Sequence, residues 1–291
     1  MTDFVFIDSG VGGIPYMTTL LKRSPDAKCV YVADTANFPY GTKSHEQIVK
    51  SVSSLVKKIC RKFSPAVIVV ACNTISVNAL EVLRAEFPEE KYGVKFVGTV
   101  PAIKLASKIS KKRKIGLLAT DATCKNPYNM ELKEKFAADC QLFLRGDGEL
   151  VSYIEHKAFT AGRAELLQAV RPAVDFFRQN ECDVIILGCT HFLNIKDVFM
   201  EECGSEIAVV DSVDGVVRHA LDVRGDFKGG KQELESPLRR EGRPQQSVAE
   251  GETSPSPKIS RLFVTSLADP AEKAQYDTLC KRFNINFLDL L

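Results

Sequence analysis

The sequence predicts an α/β fold in which two similar units each contain a mainly parallel sheet. Short, continuous apolar runs alternate with amphipathic helical patterns along the chain, as they do in helix-covered parallel sheets. Two of these runs, Val67–Val70 and Val184–Leu187, each lead into a small residue and then a cysteine. Since open α/β sheets bind ligands at the carboxyl ends of their strands, we expect Cys72 and Cys189 to lie in a site between the two units.

The first unit opens with a strand at 4–7 that ends in the glycine-rich turn Asp8-Ser9-Gly10-Val11-Gly12-Gly13. Glycines at such a turn let a ligand approach the backbone, and the helix that follows, from about residue 16 to 23, favours an anion at its N-terminus. The spacing is not that of the dinucleotide-binding motif, and the second aspartate of a phosphatase loop is missing. A simple capping role for Asp8 therefore stays open beside a ligand-binding role.

The rest of the first unit follows in alternation. A loop at 33–44 carries Pro39-Tyr40-Gly41, for which ordinary turn chemistry is the alternative to a functional role. We expect strands at 29–32, 67–70 and 94–98, with helices at about 44–63 and through residue 83. This pattern is typical of a parallel sheet covered by helices.

The alternation restarts after Thr99-Val100-Pro101, where we expect the second unit to begin. Its first strand, at 114–119, ends at Thr120-Asp121-Ala122-Thr123, a small polar turn of the same kind as the one at Asp8. We expect the remaining elements as helices near 129–138 and at 164–179, a further helix with Glu155 near its start, and strands at 141–144, 184–187 and 207–210. Because a small polar turn and then a cysteine turn occur in the same order in both halves, we interpret the chain as a duplicated α/β unit.

The C-terminal part contains a polar segment that interrupts this pattern. Residues 225–258 are rich in Gly, Pro, Glu, Arg, Gln and Ser and have almost no apolar side chains, so they are predicted to form a disordered insert. A helix through residue 221 precedes the insert. A strand at 259–265 and a helix at 270–283 are expected to close the chain.

The composition indicates a globular protein with two domains of ordinary size. The 291 residues, 45% of them hydrophobic, are enough to bury a sizeable core. The net charge of +2 gives no electrostatic reason to expect nucleic acid or a membrane as a partner; the basic run at 108–114 is interpreted as a solvated connection, with nucleic-acid contact as its alternative. The start Met1-Thr2-Asp3 leads directly into a strand without a basic leader, so we expect a cytoplasmic location.

The nine cysteines are interpreted as free thiols, because their number is odd and no pair has the C-x-x-C spacing. Cys189 and His191 would need two further ligands from scattered positions to bind a metal, so we expect neither a metal nor a cofactor. A cysteine at a strand end is most often a small apolar residue. Here both cysteines are followed by polar residues and by helical patterns, and a helix N-terminus stabilises a thiolate.

Taken together, these motifs resemble those of the glutamate racemases, within the cofactor-independent aspartate/glutamate racemase superfamily. The resemblance covers nearly the whole chain apart from the insert. The motifs that carry it are Asp8-Ser9-Gly10-x-Gly12-Gly13, Pro39-Tyr40-Gly41, Ala71-Cys72-Asn73-Thr74, Thr120-x-x-Thr123, Leu150-Val151-x-x-Ile154-Glu155, Gly188-Cys189-Thr190-His191 and Asp211-Ser212. His191 in this place is similar to the glutamate enzymes, whereas aspartate racemases usually carry Glu there.

The resemblance implies two pseudo-symmetric three-layer α/β domains with mainly parallel sheets and the active site in the cleft between them. Residues 1–99 and 208–291 would form the first domain, and residues 100–207 the second. The implied activity is cofactor-independent racemisation of L-glutamate and D-glutamate, which supplies D-glutamate for peptidoglycan synthesis. We also expect a homodimer, with glutamate as the small-molecule partner.

The resemblance further implies a role for each site residue. Cys72 and Cys189 would stand on opposite faces of the substrate α-carbon, with Cys72 acting on D-glutamate and Cys189 on L-glutamate. Asp8 and His191 would each assist the neighbouring cysteine, and Glu155 matches a family position near the cleft. The residues implied to bind substrate are Asn73, Thr74, Thr120 and Thr123 for the α-carboxylate, Ser9 and the Pro39-Tyr40-Gly41 backbone for the side-chain carboxylate, and Thr190 with Asp8 for the ammonium group.

The chain departs from the family pattern at Ile14-Pro15, Ile75 and Phe192-Leu193-Asn194, positions that concern packing around helices. These departures leave two alternatives open. One is an aspartate racemase-type enzyme of the same superfamily, and the other is a non-catalytic, amino-acid-binding regulatory protein. The presence of both cysteines favours an enzyme, since a binding protein needs neither.

Overall fold

The computed structural model describes residues 2–225, 260–267 and 270–291. The predicted insert lies outside these residues except for its first one, Gly225. That glycine has a left-handed backbone (φ 88°) and ends the preceding helix, a conformation that glycine adopts without steric cost.

The described residues form ten strands, numbered in chain order. They are β1 Thr2–Asp8, β2 Cys29–Ala33, β3 Pro65–Val70, β4 Lys95–Gly98, β5 Lys114–Ala119, β6 Gln141–Gly146, β7 Val184–Leu187, β8 Ala208–Val210, β9 Ser260–Val264 and β10 Asn286–Leu290. The strands form a six-stranded sheet of order β10-β9-β2-β1-β3-β4 and a four-stranded sheet of order β6-β5-β7-β8. All their pairings are parallel, which confirms the predicted α/β fold class.

Thirteen α-helices alternate with these strands in the described part of the chain. They are α1 Ile14–Arg23, α2 His45–Phe63, α3 Asn73–Glu86, α4 Glu89–Tyr92, α5 Ile103–Ile109, α6 Asp121–Lys125, α7 Tyr128–Phe136, α8 Gly148–His156, α9 Arg163–Gln179, α10 Thr190–Leu193, α11 Lys196–Cys203, α12 Val213–Arg224 and α13 Pro270–Phe283. Two short 3-10 helices, Thr35–Asn37 and Tyr40–Thr42, lie in the predicted loop before α2. Over the residues described, none of the helices is both long and apolar enough to cross a bilayer.

The longest helix shows how sequence signals set the elements. α2 begins with a capping box, in which the Ser44 hydroxyl accepts from the Gln47 N–H (3.3 Å) and the Gln47 side chain accepts from the Ser44 N–H (2.9 Å). Its apolar side chains recur at helical spacing and face the six-stranded sheet. The buried ones are Ile48, Val52, Leu55, Val56 and Ile59.

The strand β8 corrects one predicted boundary. It pairs with β7, with Val209 opposite Ile185, so residues 208–210 belong to the second sheet and not to the first domain. The short strand ends in polar residues similar to those after β1. This local sequence does not determine which of the two sheets the strand joins. We propose that the chain returns to the first domain with α12, whose Val216 and Val217 pack in the core beside β1.

Five elements were not predicted from the sequence. A sixth, α10, was expected only as a helical pattern after Cys189, and Glu155, expected near the start of its helix, lies near the end of α8. The helices α4, α5, α6 and α11 have four to eight residues, too few for a helical period to be recognised. The strand β10 follows α13 almost directly and joins the edge of the six-stranded sheet beside β9. Its position depends on contacts with strands far away in the sequence.

The strand ends place the polar turns on two facing edges. β1 ends at Asp8 and β3 leads to Cys72, while β5 leads to Thr120 and β7 to Cys189. Because parallel strands of one sheet end at the same edge, each sheet contributes one polar turn and one thiol to its edge. The two edges meet: the hydroxyls of Thr74 and Thr120, one from each unit, lie 3.0 Å apart.

A glycine in β5 provides a test of the packing of the second sheet. The ring of Phe177, from α9, lies over Gly116, and a Cβ at Gly116 would be 2.4 Å from ring carbon Cδ1. Because Phe177 is fully buried, Gly116→Ala is expected to lower the free energy of unfolding by about 1–3 kcal/mol. Urea denaturation followed by circular dichroism measures this change.

The matched control is Gly215→Ala in α12, where an added Cβ has no neighbour within 4 Å. This variant is expected to raise the free energy of unfolding by about 0.5–1 kcal/mol, because alanine favours the helix. Equal changes in the two variants would contradict the close approach of Phe177 to β5.

Candidate active site

Cys72 and Cys189 occupy equivalent positions in the two units. Each is the residue immediately before a helix, Cys72 before α3 and Cys189 before α10, and each follows a buried parallel strand. Both residues are nearly buried, with 6% and 7% of their surface exposed. Both also line one small cavity, so the fold brings the two thiols to a common site.

The cavity between the units has a volume of about 20 Å³, which is room for about one water molecule. Most of the predicted site residues line it. They are Ser9, Pro39, Tyr40, Gly41, Cys72, Asn73, Thr74, Thr120, Cys189, Thr190 and His191. Asp8, Thr123 and Glu155 lie behind this lining, each hydrogen-bonded to a residue in it.

A second, open groove of about 490 Å³ is lined by residues of α2 and of the loop before it. Its lining includes Lys43, before α2, and Lys50 and Lys58 on α2, but neither of the two thiols. The chemical groups singled out by the sequence are therefore concentrated at the smaller, buried cavity.

Threonine hydroxyls from both units meet beside Cys72. The Thr74 hydroxyl, in the first turn of α3, lies 3.0 Å from that of Thr120 and 3.3 Å from that of Thr123. Thr120 also caps α6 by accepting from the Thr123 N–H at 3.2 Å. Together with Asn73 and the N–H groups at the start of α3, these hydroxyls form a cluster of donors suited to a carboxylate.

Asp8 provides a buried acid on the first-unit side of the cavity. One carboxylate oxygen accepts from the Ser9 N–H at 2.6 Å. The other, Oδ2, accepts no hydrogen bond within normal limits from the described residues, although the Thr190 hydroxyl is close enough to lower the pKa of Asp8. Burial has the larger effect and raises the pKa of this carboxyl above its ordinary value, with the charge of His191 opposing it.

Burial also dominates the environment of Cys72. It raises the pKa of this thiol well above its ordinary value, and the neighbouring Asp8 carboxylate raises it further. The N–H groups of Ile75 and Thr74, at the start of α3, act in the opposite direction. A positive charge placed beside Cys72 would favour its thiolate.

His191 and Glu155 form a buried pair behind Cys189. Nδ1 of His191 lies 3.7 Å from the Cys189 sulfur, and Nε2 lies 2.8 Å from Oε2 of Glu155. Burial alone would lower the pKa of His191, but Cys189 and Glu155 outweigh it and hold that pKa well above its ordinary value. Likewise, burial would raise the pKa of Glu155, but the hydrogen bond and charge of His191 keep it lowered.

The glycine turn after β1 packs directly on this pair. A Cβ at Gly10 would lie 2.4 Å from Oε2 of Glu155, and one at Gly12 would lie 2.4 Å from the Thr190 hydroxyl. Tyr31 holds the turn, because its hydroxyl donates to the Gly10 carbonyl (2.7 Å) and accepts from the Gly13 N–H (2.9 Å). Glycine is therefore required here for a close approach between the units.

The loop before α2 closes the cavity from a third side. The Tyr40 hydroxyl and the Asn37 amide donate to the buried carboxylate of Asp34, which fixes the loop. Within it, Phe38 lines the cavity and lies against His191, with ring centroids 5.7 Å apart. Tyr40 is fully buried, and a Cβ at Gly41 would approach the side chain of Thr120 to 3.0 Å.

Sequence reasoning did not identify three residues of this site. Phe38 lines the cavity, Tyr31 holds the glycine turn and Tyr276 of α13 donates to Glu155 at 3.0 Å. Phe38 had one local signal, its place directly before the Pro39-Tyr40-Gly41 motif. Tyr31 and Tyr276 adjoin no motif, and their contacts join distant parts of the chain. The Asp211-Ser212 motif, in contrast, lies away from the cavity lining, with Ser212 bonded to Tyr16 at 2.8 Å.

Among the described residues, no group of three or more His, Cys, Asp and Glu side chains is arranged to hold a metal ion. The polar groups of the site instead consist of two thiols, a buried acid, an imidazole–carboxylate pair and hydroxyl donors. Such groups bind charged parts of a small molecule and move protons.

Two parallel-sheet α/β units that enclose strand-end thiols in one cavity place the chain in the class of two-domain α/β racemases. A family model described as Asp/Glu/Hydantoin racemase matches residues 16–220. The chain belongs to this family.

Similar proteins include the glutamate racemase of Treponema pallidum, which is 42% identical over 218 residues, 75% of this chain and 80% of that protein. The glutamate racemase of Shewanella oneidensis is 38% identical over 225 residues, 74% of this chain and 79% of that protein. Among solved structures, Escherichia coli glutamate racemase in complex with L-glutamate and the activator UDP-MurNAc-ala has a TM-score of 0.78 and 29% identity, covering 100% of this chain and 98% of that one. The glutamate racemase of Aquifex pyrophilus has a TM-score of 0.64 and 25% identity, covering 99% and 97%.

The Glu155–His191 pair predicts a pH-dependent contribution to stability. The pKa of Glu155 is lowered from 4.5, so its contribution is present above pH 4.5 and is lost as the pH falls through the lowered pKa. The pKa of His191 is raised from 6.5, so its contribution is fully present below pH 6.5 and is lost as the pH rises through the raised pKa. Glu155→Gln should therefore lower the free energy of unfolding most, by about 3 kcal/mol, between these two pH values.

Urea denaturation of the wild type and Glu155→Gln at about pH 5.5 and about pH 9 measures this window. The control is Glu165→Gln, which changes an exposed carboxylate that accepts from the Tyr153 hydroxyl at 2.8 Å. Its effect should be small at both pH values. If Glu155→Gln lowers the free energy of unfolding no more at about pH 5.5 than at about pH 9, the buried ion pair is contradicted.

Proposed function

We propose that this protein interconverts L-glutamate and D-glutamate with two thiols as acid and base. The observation that carries the proposal is the placement of Cys72 and Cys189 at equivalent strand ends, each directly before a helix, on one buried cavity. A racemase that works without an electron-withdrawing cofactor needs one proton-transfer group on each face of the α-carbon. The similarity of the chain to several glutamate racemases also supports the proposal.

In the proposed reaction from L- to D-glutamate, the Cys189 thiolate removes the α-proton and the Cys72 thiol delivers its own proton to the opposite face. The carbon–hydrogen bond that breaks on one face is replaced by one on the other, and the two sulfurs exchange protonation states. The enzyme form that results is the form needed for D-glutamate. His191, as an imidazolium, donates toward Cys189 through Nδ1 and toward Glu155 through Nε2.

The α-proton of an amino acid is a weak acid, so the charge that develops on its removal must be stabilised by fixed donors. We propose that the hydroxyl cluster of Thr74, Thr120 and Thr123, together with Asn73, holds the α-carboxylate. Ser9 and the backbone at Pro39, Tyr40 and Gly41 would hold the side-chain carboxylate, as implied by the family resemblance. The N–H groups at the start of α3 add further donors.

The substrate ammonium group supplies the positive charge that the Cys72 side of the site lacks. We propose that it lies beside Asp8, whose Oδ2 faces no other donor within normal limits in the described residues, and beside Thr190. An ammonium here would offset the burial and the acidic neighbour that now favour the Cys72 thiol.

The cavity is too small for glutamate, since it has room for about one water molecule. The substrate therefore enters when the two units separate, and they close again around it. Closure removes water from the site, which strengthens every electrostatic interaction with the developing charge.

The biological role and the assembly are part of the same proposal. A supply of D-glutamate for peptidoglycan synthesis is the role of the glutamate racemase family. A homodimer and a cytoplasmic location are supported by the family resemblance alone. Sedimentation equilibrium of the purified chain tests the dimer.

The direct test of function is α-proton exchange in deuterated water. The purified protein is incubated with each enantiomer of glutamate and, separately, of aspartate, without added cofactor, and deuterium at the α-carbon and inversion are followed by NMR and polarimetry. Both enantiomers of glutamate should exchange and interconvert. Exchange with aspartate in preference to glutamate, or with neither, would contradict the proposal.

The division of labour between the thiols is tested by replacing each with serine. Because a serine hydroxyl is a much weaker base, Cys72→Ser and Cys189→Ser should each reduce racemisation by about 10²–10⁴-fold. Cys60→Ser, which changes a half-buried thiol on α2, is the matched control and should retain activity.

The two variants should differ with 3-chloro analogues of the glutamate enantiomers. Removal of the α-proton lets the electron pair form a carbon–carbon double bond as chloride leaves, so one base suffices. Cys189→Ser should still eliminate chloride from the D-analogue through Cys72, and Cys72→Ser should still do so from the L-analogue through Cys189. If both variants retained elimination activity towards the same enantiomer, the assignment of the two thiols would be contradicted.

A further inference from the structure

The last helix of the chain reaches from one unit into the site of the other. α13 packs on the six-stranded sheet, with Tyr276, Leu279 and Cys280 in the core beside β1 and β2. The Tyr276 hydroxyl nevertheless donates to Oε1 of Glu155 at 3.0 Å, and Glu155 lies on α8 beside the four-stranded sheet. The adjacent Gln275 side chain donates to the backbone carbonyl of the same glutamate.

Glu155 thus receives its hydrogen bonds from both units. Oε2 accepts from the N–H of Val11, in the glycine turn after β1, at 3.0 Å and pairs with Nε2 of His191 at 2.8 Å. Oε1 accepts from Tyr276. Two of these three partners, Val11 and Tyr276, belong to the first unit, whereas His191 belongs to the second.

We propose that Tyr276 is a positioning residue that fixes the Glu155–His191 pair behind Cys189 and does so only when the two units are closed. This inference rests on the proposed racemase function. A carboxylate with 4% of its surface exposed needs each of its donors, because a buried charge that loses a hydrogen bond is destabilised strongly. Separation of the units would remove the Val11 and Tyr276 donors from Glu155 together. The Glu155–His191 pair that supports the Cys189 thiolate is therefore completed by closure.

The hydroxyl of Tyr276 is suited to this role. Tyr276 has 1% of its surface exposed, and burial together with the nearby Glu155 carboxylate raises its pKa well above the ordinary value. The side chain therefore keeps its proton and acts as a donor at neutral pH. Phenylalanine would fill the same space without the donor.

The charged and titratable groups around Glu155 come from several elements. Asp8 at the end of β1 and Tyr31 in β2 both interact with the Glu155 charge. His191 in α10 pairs with it directly. Tyr276 and, through it, Glu272 approach from α13. His191 is the single group of this set that carries positive charge, so loss of the Tyr276 donor leaves the carboxylate more dependent on it.

Racemisation rates do not reveal whether Tyr276 supports proton transfer by Cys189 or by Cys72. The equilibrium constant between two enantiomers is one, so kcat/KM must change equally in both directions. Elimination of chloride from the 3-chloro analogues separates the two sides, because the L-analogue needs only Cys189 as base and the D-analogue needs only Cys72.

Tyr276→Phe is expected to lower the elimination rate with the L-analogue about tenfold, the effect of losing one hydrogen bond to a charged acceptor. The rate with the D-analogue should stay within about twofold of the wild type. The acidic limb of the pH profile for the L-analogue should move to higher pH, because the carboxylate has lost a donor that stabilised its ionised form. The matched control is Tyr16→Phe, which removes an equally buried hydroxyl that is bonded to Ser212 at 2.8 Å and not to Glu155.

The outcomes separate this inference from the proposed function. If the wild-type protein exchanges neither enantiomer of glutamate and eliminates neither analogue, the proposed function itself fails. If the wild type is active but Tyr276→Phe lowers both elimination rates equally, or leaves the pH profile for the L-analogue unchanged, Tyr276 only supports packing and the inference is wrong. Should Tyr276→Phe not fold, Gln275→Leu, which removes the neighbouring donor to the Glu155 carbonyl, is expected to give the same asymmetry, and equal losses with both analogues would overturn the inference.

Discussion

The buried carboxylate of Glu155 is the constraint on which the rest of the site depends. A carboxylate in this position is stable only if it is paired and hydrogen-bonded, and its partners come from the glycine turn after β1, from α10 and from α13. Gly10 has to lack a side chain because a Cβ would overlap the carboxylate. Three features that are far apart in the sequence therefore have to be in place together before this one group can be buried.

The pseudo-symmetry of the strands does not extend to the groups beside the two thiols. Cys72 has an acidic neighbour, Asp8, which opposes its ionisation, whereas Cys189 has an imidazole held by Glu155. In the proposed reaction the substrate ammonium group offsets this difference on the Cys72 side. The two half-reactions thus depend on different sources of positive charge, one brought by the substrate and one by the protein.

Local patterns were enough to predict nine of the ten described strands, most of the long helices and the polar turns, because each of these signals lies within about ten neighbouring residues. The buried runs of β3 and β7 and the cysteines after them are of this kind. In contrast, the sheet that receives β8 and the position of β10 depend on pairing between distant segments. Tyr276 was missed for the same reason, since it meets Glu155 across 121 residues of sequence.

Burial and ionisation oppose each other in this site, and the proposed closure of the two units around the substrate would reconcile them. Exclusion of water strengthens the donors that stabilise a developing carbanion, but it also raises the pKa of Cys72 and of Asp8. A site that stayed closed would favour the protonated forms of Cys72 and Asp8, and one that stayed open would lose electrostatic strength to water. The partners of Glu155 and the hydroxyl cluster both join residues of the two units, so in the proposed closure the ionised groups would acquire their partners as water is expelled. The contacts between the units are therefore part of the acid–base chemistry as well as of the fold.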